Sequence, residues 1–291
     1  MTLIQQQGHI HIEALFFSYS PHQPLIRDIS FNVSPGEIFG FLGPSGAGKS
    51  TLQKILTGVL DRYTGSVMVN GQEVKNRNVH FYEDIGVDFE FPSLYGKFTA
   101  MENLTFFGSL YRKDLLPAND LLEMVGLHHD AHRRVSDFSK GMKSRLNFIK
   151  ALIHQPQMLF LDEPTSGLDP SNARQMKNII LEQKKQGKTI ILTTHNMHDA
   201  AEVCDRVAFI VDGQIRALDT PHQLIMKKGG QQVTYRFMDQ DREQVSTTPL
   251  DQLSRDSLLR QLMEENRLIS IHSGEPTLED VFIEVTGRAL Q

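Results

Sequence analysis

One stretch of nine residues constrains this chain more than any other, because it fixes both a backbone shape and a chemistry. Residues 43–51 read Gly-Pro-Ser-Gly-Ala-Gly-Lys-Ser-Thr, after an apolar run at 38–42 and before a helical pattern at 52–56. The order strand, glycine-rich loop and helix is that of a phosphate-binding loop. The glycines let backbone N–H groups approach phosphate oxygens, and a helix N-terminus favours anions. The stretch therefore predicts a nucleoside triphosphate site.

Two side chains of this loop have predicted roles of their own. Lys49 is expected to reach the terminal phosphates, and the Ser50 hydroxyl is expected to ligate Mg²⁺. The other residues form the expected backbone cradle: Gly43, Pro44, Ser45, Gly46, Ala47, Gly48 and Thr51.

The charge balance and the cysteine content exclude several classes of protein. Lys and Arg number 30 against 35 Asp and Glu in 291 residues, so the net charge of -5 gives no overall basic field for nucleic acid. Cys204 is the single cysteine and has no partner for an intrachain disulfide, and the first residues lack the pattern of a signal peptide. We expect a cytoplasmic setting, with any membrane-spanning part in another chain.

Short apolar strands alternate with helical patterns, which predicts an α/β fold with a parallel sheet covered on both faces. We expect a core domain over 9–225, with an antiparallel β subdomain and an inserted helical subdomain at about 92–152. Residues 9–17 alternate and predict an edge strand. Lys-Lys-Gly-Gly at 227–230 predicts a linker, and 231–291 a small C-terminal α+β domain.

Two acidic residues follow the apolar run at 158–161. Asp162 is placed to hold Mg²⁺ through water, and Glu163 to act as general base on the attacking water. An acidic pair can also simply open a loop, but the phosphate loop upstream favours the catalytic interpretation. His195 follows a buried strand at 189–193; it is either a solvated side chain or a contact to the γ-phosphate.

The order of these motifs resembles that of the ATP-binding-cassette (ABC) ATPases over residues 9–225. Beside the phosphate loop, the matching motifs are Phe138–Met142 (the signature), 158–163 (Walker B), Ser166–Asp169 (the D-loop) and His195. The resemblance implies ATP and Mg²⁺ as cofactors and a head-to-tail dimer, formed with a second copy or a homologous subunit. Each nucleotide would lie between the phosphate loop of one subunit and the signature of the other. It implies further nucleotide contacts at Tyr19, Ser139, Lys140, Gly141, Met142 and Asp169.

Three of these positions carry their own alternatives or departures. Tyr19 occupies the place of the adenine-stacking aromatic residue, or is merely a strand residue. Lys140 and Met142 replace a glycine and a glutamine of the usual Leu-Ser-Gly-Gly-Gln signature. Glu90 stands where the family offers a Gln to Mg²⁺ and the attacking water. A carboxylate there must bind Mg²⁺, take up a proton, or stay withdrawn.

The aromatic residues near Glu90 have two interpretations. As structure, Phe98, Phe106 and Phe107 predict the core of the helical subdomain. As function, Phe91, Leu94 and Tyr95 resemble the groove in which transporter ATPases receive a short helix of the membrane subunit.

Residues 276–283 are similar to the ending of ATPase subunits from bacterial exporters of drugs, antibiotics or lipids. The sequence therefore predicts a subunit that binds and hydrolyses ATP and powers export of a small molecule through a separate permease. It would sit peripherally on the inner face of the cell membrane and bind no nucleic acid. The alternative is a soluble ABC ATPase in translation, repair or cofactor assembly, although those acting in translation generally carry two cassettes in one chain and the repair type carries long coiled coils.

Overall fold

The computed structural model describes residues 9–21, 23–227, 232–239, 242–274 and 276–287. Backbone contacts divide the chain into two compact units, one ending at Pro221 and the other beginning at His222. Residues 228–230 of the predicted linker lie outside the described residues. Within the described ranges, no helix combines the length and the apolar character needed to cross a membrane.

The first unit contains ten strands and seven complete helices among its described residues. The strands are β1 Ile10–Ser20, β2 Gln23–Val33, β3 Ile38–Leu42, β4 Thr64–Val69, β5 Gln72–Glu73, β6 Ile85–Asp88, β7 Met158–Asp162, β8 Thr189–Thr194, β9 Arg206–Val211 and β10 Gln214–Asp219. The helices are α1 Lys49–Leu56, α2 Val79–Glu83, α3 Ala100–Gly108, α4 Ala118–Met124, α5 Lys140–Leu152, α6 Pro170–Lys185 and α7 Met197–Val203; α8 Pro221–Lys227 spans the boundary. Short 3₁₀ turns cover Val74–Asn76, His128–Asp130 and Val135–Asp137.

A six-stranded sheet in the order β10-β9-β3-β8-β7-β6 forms the centre of this unit. Neighbouring strands from β9 to β6 run parallel, and only β10 pairs antiparallel. Every residue of β3, β7 and β8 is buried, as expected for strands with both sheet faces covered. The predicted α/β architecture with a parallel sheet is confirmed. The carboxyl ends of β3, β6, β7 and β8 consequently meet at one edge.

The second sheet of the unit is antiparallel, in the order β2-β1-β4-β5. The prediction of an edge strand at residues 9–17 was wrong, because β1 pairs with two neighbours. Ile10 lies opposite Val33 of β2 on one side and Val69 of β4 on the other. Alternating hydrophobicity identifies a strand with one buried face, but it carries no information about how many strands border it.

The helical region between β6 and β7 holds the aromatic residues that the sequence assigned to its core. That assignment was wrong for Phe98 and Phe106, each of which is 38% exposed. The buried face of α3 is formed instead by Ala100, Asn103 and Leu104. Phe106 falls on the opposite face, where helical periodicity places a residue two positions after Leu104.

The second unit is built from three antiparallel strands and two helices within its described part. They are β11 Gln232–Asp239, β12 Arg242–Pro249, β13 Leu268–Gly274, α9 Ser257–Glu264 and α10 Leu278–Thr286, with a 3₁₀ turn at Leu250–Arg255. The strand order is β12-β11-β13. Tyr235 of β11 packs with Leu259 and Leu262 of α9 in a small core. Its hydroxyl donates a 2.9 Å hydrogen bond to Asp256, which also caps α9.

The end of α5 packs tightly on β6 in the first unit. A Cβ atom at Gly86 would lie 2.1 Å from the Ala151 carbonyl oxygen, so only glycine permits this approach. His154, just beyond α5, donates from Nε2 to the Ile85 carbonyl over 2.9 Å and stacks on Tyr111 at 3.7 Å between ring centroids. Burial lowers the pKa of His154 to about 4. The imidazole is therefore neutral in the folded chain at pH 7.

This buried imidazole makes stability depend on pH. The unfolded chain takes up a proton at His154 near pH 6.5, whereas the folded chain resists it until about pH 4. The free energy of unfolding should therefore fall by about 2 kcal/mol from this group between pH 7 and pH 5. His154→Gln, which keeps a donor for the carbonyl, should flatten that part of the pH dependence in urea unfolding. His132→Gln, at an exposed position, is the control variant, and equal slopes for wild type and His154→Gln would contradict this account.

Candidate nucleotide-binding site

The predicted phosphate loop lies between β3 and α1, at the edge where the parallel strands end. Gly48 forms the N-cap of α1 in the left-handed conformation, with φ of 104°. Gly43 has φ of 155°, and a Cβ there would come within 2.1 Å of the Ile210 carbonyl oxygen. Both positions require glycine, so the loop passes close to β9 before its backbone turns into the helix.

The Lys49 side chain closes this loop. Its Nζ donates to the carbonyl oxygens of Gly43, over 2.7 Å, and Pro44, over 3.0 Å. Burial lowers the pKa of the ammonium, and the carboxylates of Glu163, Asp162 and Glu90 oppose that shift. The loop thus folds around a buried cation that has carboxylates nearby, in a form suited to phosphate oxygens.

Asp162 and Ser50 face each other across this edge. The Ser50 hydroxyl donates to Asp162 Oδ1 over 3.2 Å, and the buried Thr193 hydroxyl donates to the same oxygen. A hydroxyl and a carboxylate are hard oxygen ligands of the kind that Mg²⁺ prefers. The side chains present therefore fit a magnesium site at the predicted place.

Glu163 has a backbone conformation that is uncommon for a residue with a side chain. Its φ is 54°, in the left-handed region. The last residue of β8 and the residue after it hold its carboxylate: Thr194 Oγ1 donates to Oε2 over 3.2 Å, and His195 Nδ1 donates to Oε1 over 2.8 Å. Such a conformation costs about 1–3 kcal/mol and persists at sites where surrounding contacts enforce it. Glu163 is thus aimed by its backbone and by two partners.

These segments enclose one pocket of about 400 Å³. It brings together Ser45, Gly46 and residues 48–51 of the predicted phosphate loop with Glu90, Glu163 and His195, which are far apart in sequence. The lining comprises Leu25, Ser45, Gly46, Gly48, Lys49, Ser50, Thr51, Glu90, Glu163 and His195. Tyr19 lies at the neighbouring end of β1, with its hydroxyl 3.3 Å from Thr51 Oγ1 and its ring 63% exposed.

The predicted signature residues lie elsewhere in the chain. Ser139 is the N-cap of α5, and its hydroxyl accepts from the Met142 N–H over 3.2 Å. The Lys140 side chain lies over Gly167 and lines a second cavity of about 210 Å³ together with Glu163. In the part of the chain described here, Ser139, Gly141, Met142 and Asp169 do not line the pocket of their own phosphate loop. Asp169 instead accepts two backbone N–H groups as the N-cap of α6.

Comparison with known proteins decides between the families that use a phosphate loop. The family model described as ABC transporter matches residues 26–166. A fluoroquinolones export ATP-binding protein of Mycobacterium tuberculosis is 47% identical over 283 residues, covering 97% of this chain and 94% of that protein. This chain belongs to the ABC transporter family. It is an ABC ATPase, as the order of motifs predicted.

Further similarities agree with this membership. Nod factor export ATP-binding protein I of Rhizobium meliloti is 38% identical over 288 residues, covering 92% of this chain and 85% of that protein. Among solved structures, cbiO1 from Clostridium perfringens, part of the ABC transporter complex cbiONQ, aligns with a TM-score of 0.66 and 27% identity. The alignment covers 76% of this chain and 92% of that structure.

The sequence did not predict several polar residues of the site in this ABC cassette. Thr193 and Thr194 orient the two carboxylates, yet in sequence they only end an apolar strand. The one available signal was the change from apolar to polar residues at the strand end. Asp88 and Asn147, a buried pair beside Glu90, had no signal at all, because a residue inside a strand and one inside a helix show no spacing that links them.

Removing the Lys49 ammonium should weaken nucleotide binding more than any other single change in the loop. We expect Lys49→Ala to lower the affinity for ATP by about 100-fold, since a charge-assisted contact to phosphate contributes about 1.5–3 kcal/mol. Lys54→Ala is the matched control, because Lys54 lies in the same helix α1 but not in the pocket lining. Isothermal titration with ATP measures both. Equal affinities for the two variants would contradict the placement of Lys49.

Proposed function

We propose that this ABC ATPase binds MgATP between two subunits, hydrolyses it with Glu163 as general base, and powers export of a small molecule through a separate membrane-spanning partner. One observation carries the catalytic part of the proposal. Glu163 is held in a left-handed backbone conformation by His195 and Thr194, in the same pocket as Lys49.

The phosphate loop binds and orients the nucleotide in this scheme. Backbone N–H groups at the start of α1 and the Lys49 ammonium contact the phosphates. Ser50 and Asp162 would hold Mg²⁺, with Glu90 as a further oxygen ligand, and the ion would supply positive charge to the terminal phosphate oxygens. Tyr19 stacks on the adenine; its exposed ring at the end of β1, beside Thr51, supports this role.

Glu163 then takes the proton of the attacking water on a carboxylate oxygen. The hydrogen bonds from His195 Nδ1 and Thr194 Oγ1 hold that carboxylate aimed into the pocket. His195 also contacts the γ-phosphate from the mouth of the pocket, where its side chain is 56% exposed.

A second subunit completes each site. Ser139 and Gly141 lie at the N-terminus of the 13-residue helix α5, whose dipole favours an anion. They are absent from the lining of their own subunit's pocket in the described chain, which supports a head-to-tail dimer in which they contact the partner's γ-phosphate. Lys140, Met142 and Asp169 lie at the same interface in this arrangement.

The proposal of export derives from the relatives, whose names describe export of fluoroquinolones and of Nod factor. These names favour a transporter subunit over the soluble alternative. The substrate path would lie in the permease, and this chain would bind that partner at the cytoplasmic face of the membrane.

A surface of aromatic side chains supports such docking. We call Phe91, Tyr95, Phe98, Phe106 and Phe107 the aromatic patch. Within it, Tyr95 contacts Phe98, Phe106 and Phe107, with ring centroids 5.0–5.8 Å apart. Tyr95 is 49% exposed, and Phe91, four residues earlier, is 80% exposed. Exposed aromatic clusters of this kind mark protein interaction sites, so the patch is the proposed contact for the permease.

The role of Glu163 is tested by Glu163→Gln, which keeps the shape of the side chain but removes its basicity. We expect the affinity for MgATP to stay within about threefold and the turnover to fall about 1,000-fold, the usual contribution of a general base. ATP should then trap the dimer, detected by size-exclusion chromatography. Glu182→Gln, at an exposed position of α6, is the control. Turnover at the wild-type rate in Glu163→Gln would exclude Glu163 as the base.

The docking surface is tested by Phe91→Ser combined with Phe106→Ser. Because both side chains are exposed, we expect the unfolding midpoint and the ATPase rate of the isolated chain to change little, within about twofold for the rate. Recovery of the chain with membrane proteins from detergent extracts should fall at least about tenfold. Val59→Ser removes a 58% exposed side chain outside the patch and should have no effect. Undiminished recovery of the double variant would place the permease contact elsewhere.

A further inference from the structure

A buried polar pair connects the segment that carries Glu90 to helix α5. Asp88 is the last residue of β6 and is 4% exposed, and Asn147 of α5 is 2% exposed. Asn147 Nδ2 donates to Asp88 Oδ1 and also, over 3.3 Å, to the carbonyl oxygen of Phe89. One amide group therefore holds both the side chain and the backbone immediately before Glu90.

The same helix holds the segment a second time, one turn further along. Lys150 Nζ donates to the Ser93 carbonyl oxygen over 3.3 Å and lies 4.7 Å from the centre of the Phe107 ring. Asn147 and Lys150 thus contact both ends of the segment 88–93. Together with the close approach of Gly86 to Ala151, these contacts leave Glu90 little freedom to move independently of α5.

Burying this polar pair lowers the stability of the fold, which indicates that the pair has a role other than stability. Asn147 Oδ1 is buried and has no hydrogen-bond partner among the described atoms, and the Asp88 carboxyl is buried as well. Apolar side chains of similar size would pack here without losing hydration. Apolar side chains could not fix the orientation of the segment 88–93 relative to α5, because hydrogen bonds are directional and apolar contacts are not.

We propose that Asp88 and Asn147 are positioning residues for ATP hydrolysis, which act by holding Glu90 in place relative to helix α5. The proposal rests on the role proposed above for Glu90 in the nucleotide pocket, which Glu90 lines together with Lys49 and Glu163. Because α5 begins at the signature residue Ser139, the pair also sets the distance between Glu90 and the part of the chain that meets the other subunit.

The first test removes both partners at once, so that neither is left buried and unpaired. In the full-length chain, we expect Asp88→Val combined with Asn147→Leu to keep the unfolding midpoint close to that of wild type. Its kcat for MgATP should fall between about 10- and 100-fold, the effect of a misplaced group, with the affinity for ATP changed less than about threefold. Asp88→Asn keeps an oxygen acceptor for Asn147 and should retain most of the rate.

The second test asks whether the pair acts through Glu90. In a Glu90→Ala background, the same double substitution should change the single-turnover rate by less than about twofold, because the residue being positioned is already gone. A purely structural role would lower the rate by the same factor in both backgrounds, and that result would overturn the proposal. Wild-type turnover in Glu90→Ala, or in the Asp88→Val and Asn147→Leu variant, would overturn it too.

A matched control is available in α3. Asn103 is another buried asparagine, bonded to the Tyr95 and Thr99 carbonyl oxygens but not to the segment 88–93. Asn103→Leu should lower the unfolding midpoint while leaving kcat, measured well below that midpoint, within about twofold.

The rate of Glu163→Gln separates the positioning proposal from the proposal that Glu163 is the general base. If that variant is inactive and the positioning test fails, only the positioning proposal is overturned; if it is fully active, the catalytic assignment itself fails.

Discussion

The whole site depends on the parallel pairing of four strands. Since β3, β6, β7 and β8 run in one direction, the loop of Lys49, the carboxylates Asp162 and Glu163, His195 and Glu90 all leave the sheet at the same edge. Burial of these strands on both faces fixes their register and so fixes the relative positions of residues separated by up to about 150 positions in sequence.

The residues that sequence identified share one property: each belongs to a short segment whose local pattern encodes its geometry. The phosphate loop requires glycine at Gly43 and Gly48, and Asp162 follows an apolar strand. Residues that orient others had no such pattern. Thr194 and Asn147 were missed because their partners come from distant parts of the chain. The number of neighbours of β1 was likewise a tertiary fact. Periodicity places Phe106 opposite Leu104 on α3, but packing decides which of the two faces is buried.

Glu90 was predicted in part. The order of the family motifs predicted its place in the site, but the sequence did not predict which residues surround it. In the folded chain Glu90 lines one cavity together with Asp88, Asp162 and Glu163. Burial raises the pKa of Asp88 to about 7. Glu90, Asp162 and Glu163 bring acidic groups together at this corner of the site, while burial disfavours the charged form of Asp88; the Lys49 ammonium is a cation that the phosphate loop places near these acidic groups. Mg²⁺ bound with a nucleotide would add positive charge beside these acidic side chains.

The separation of Ser139 from the phosphate loop of its own chain has a consequence for genetics. In the proposed dimer, each site takes its loop from one chain and its signature from the other. When a chain damaged only in its loop pairs with a chain damaged only in its signature, one site receives both lesions and the other receives none. Two alleles that are each inactive alone would therefore complement each other, whereas a chain that carries both lesions would spoil every site it enters.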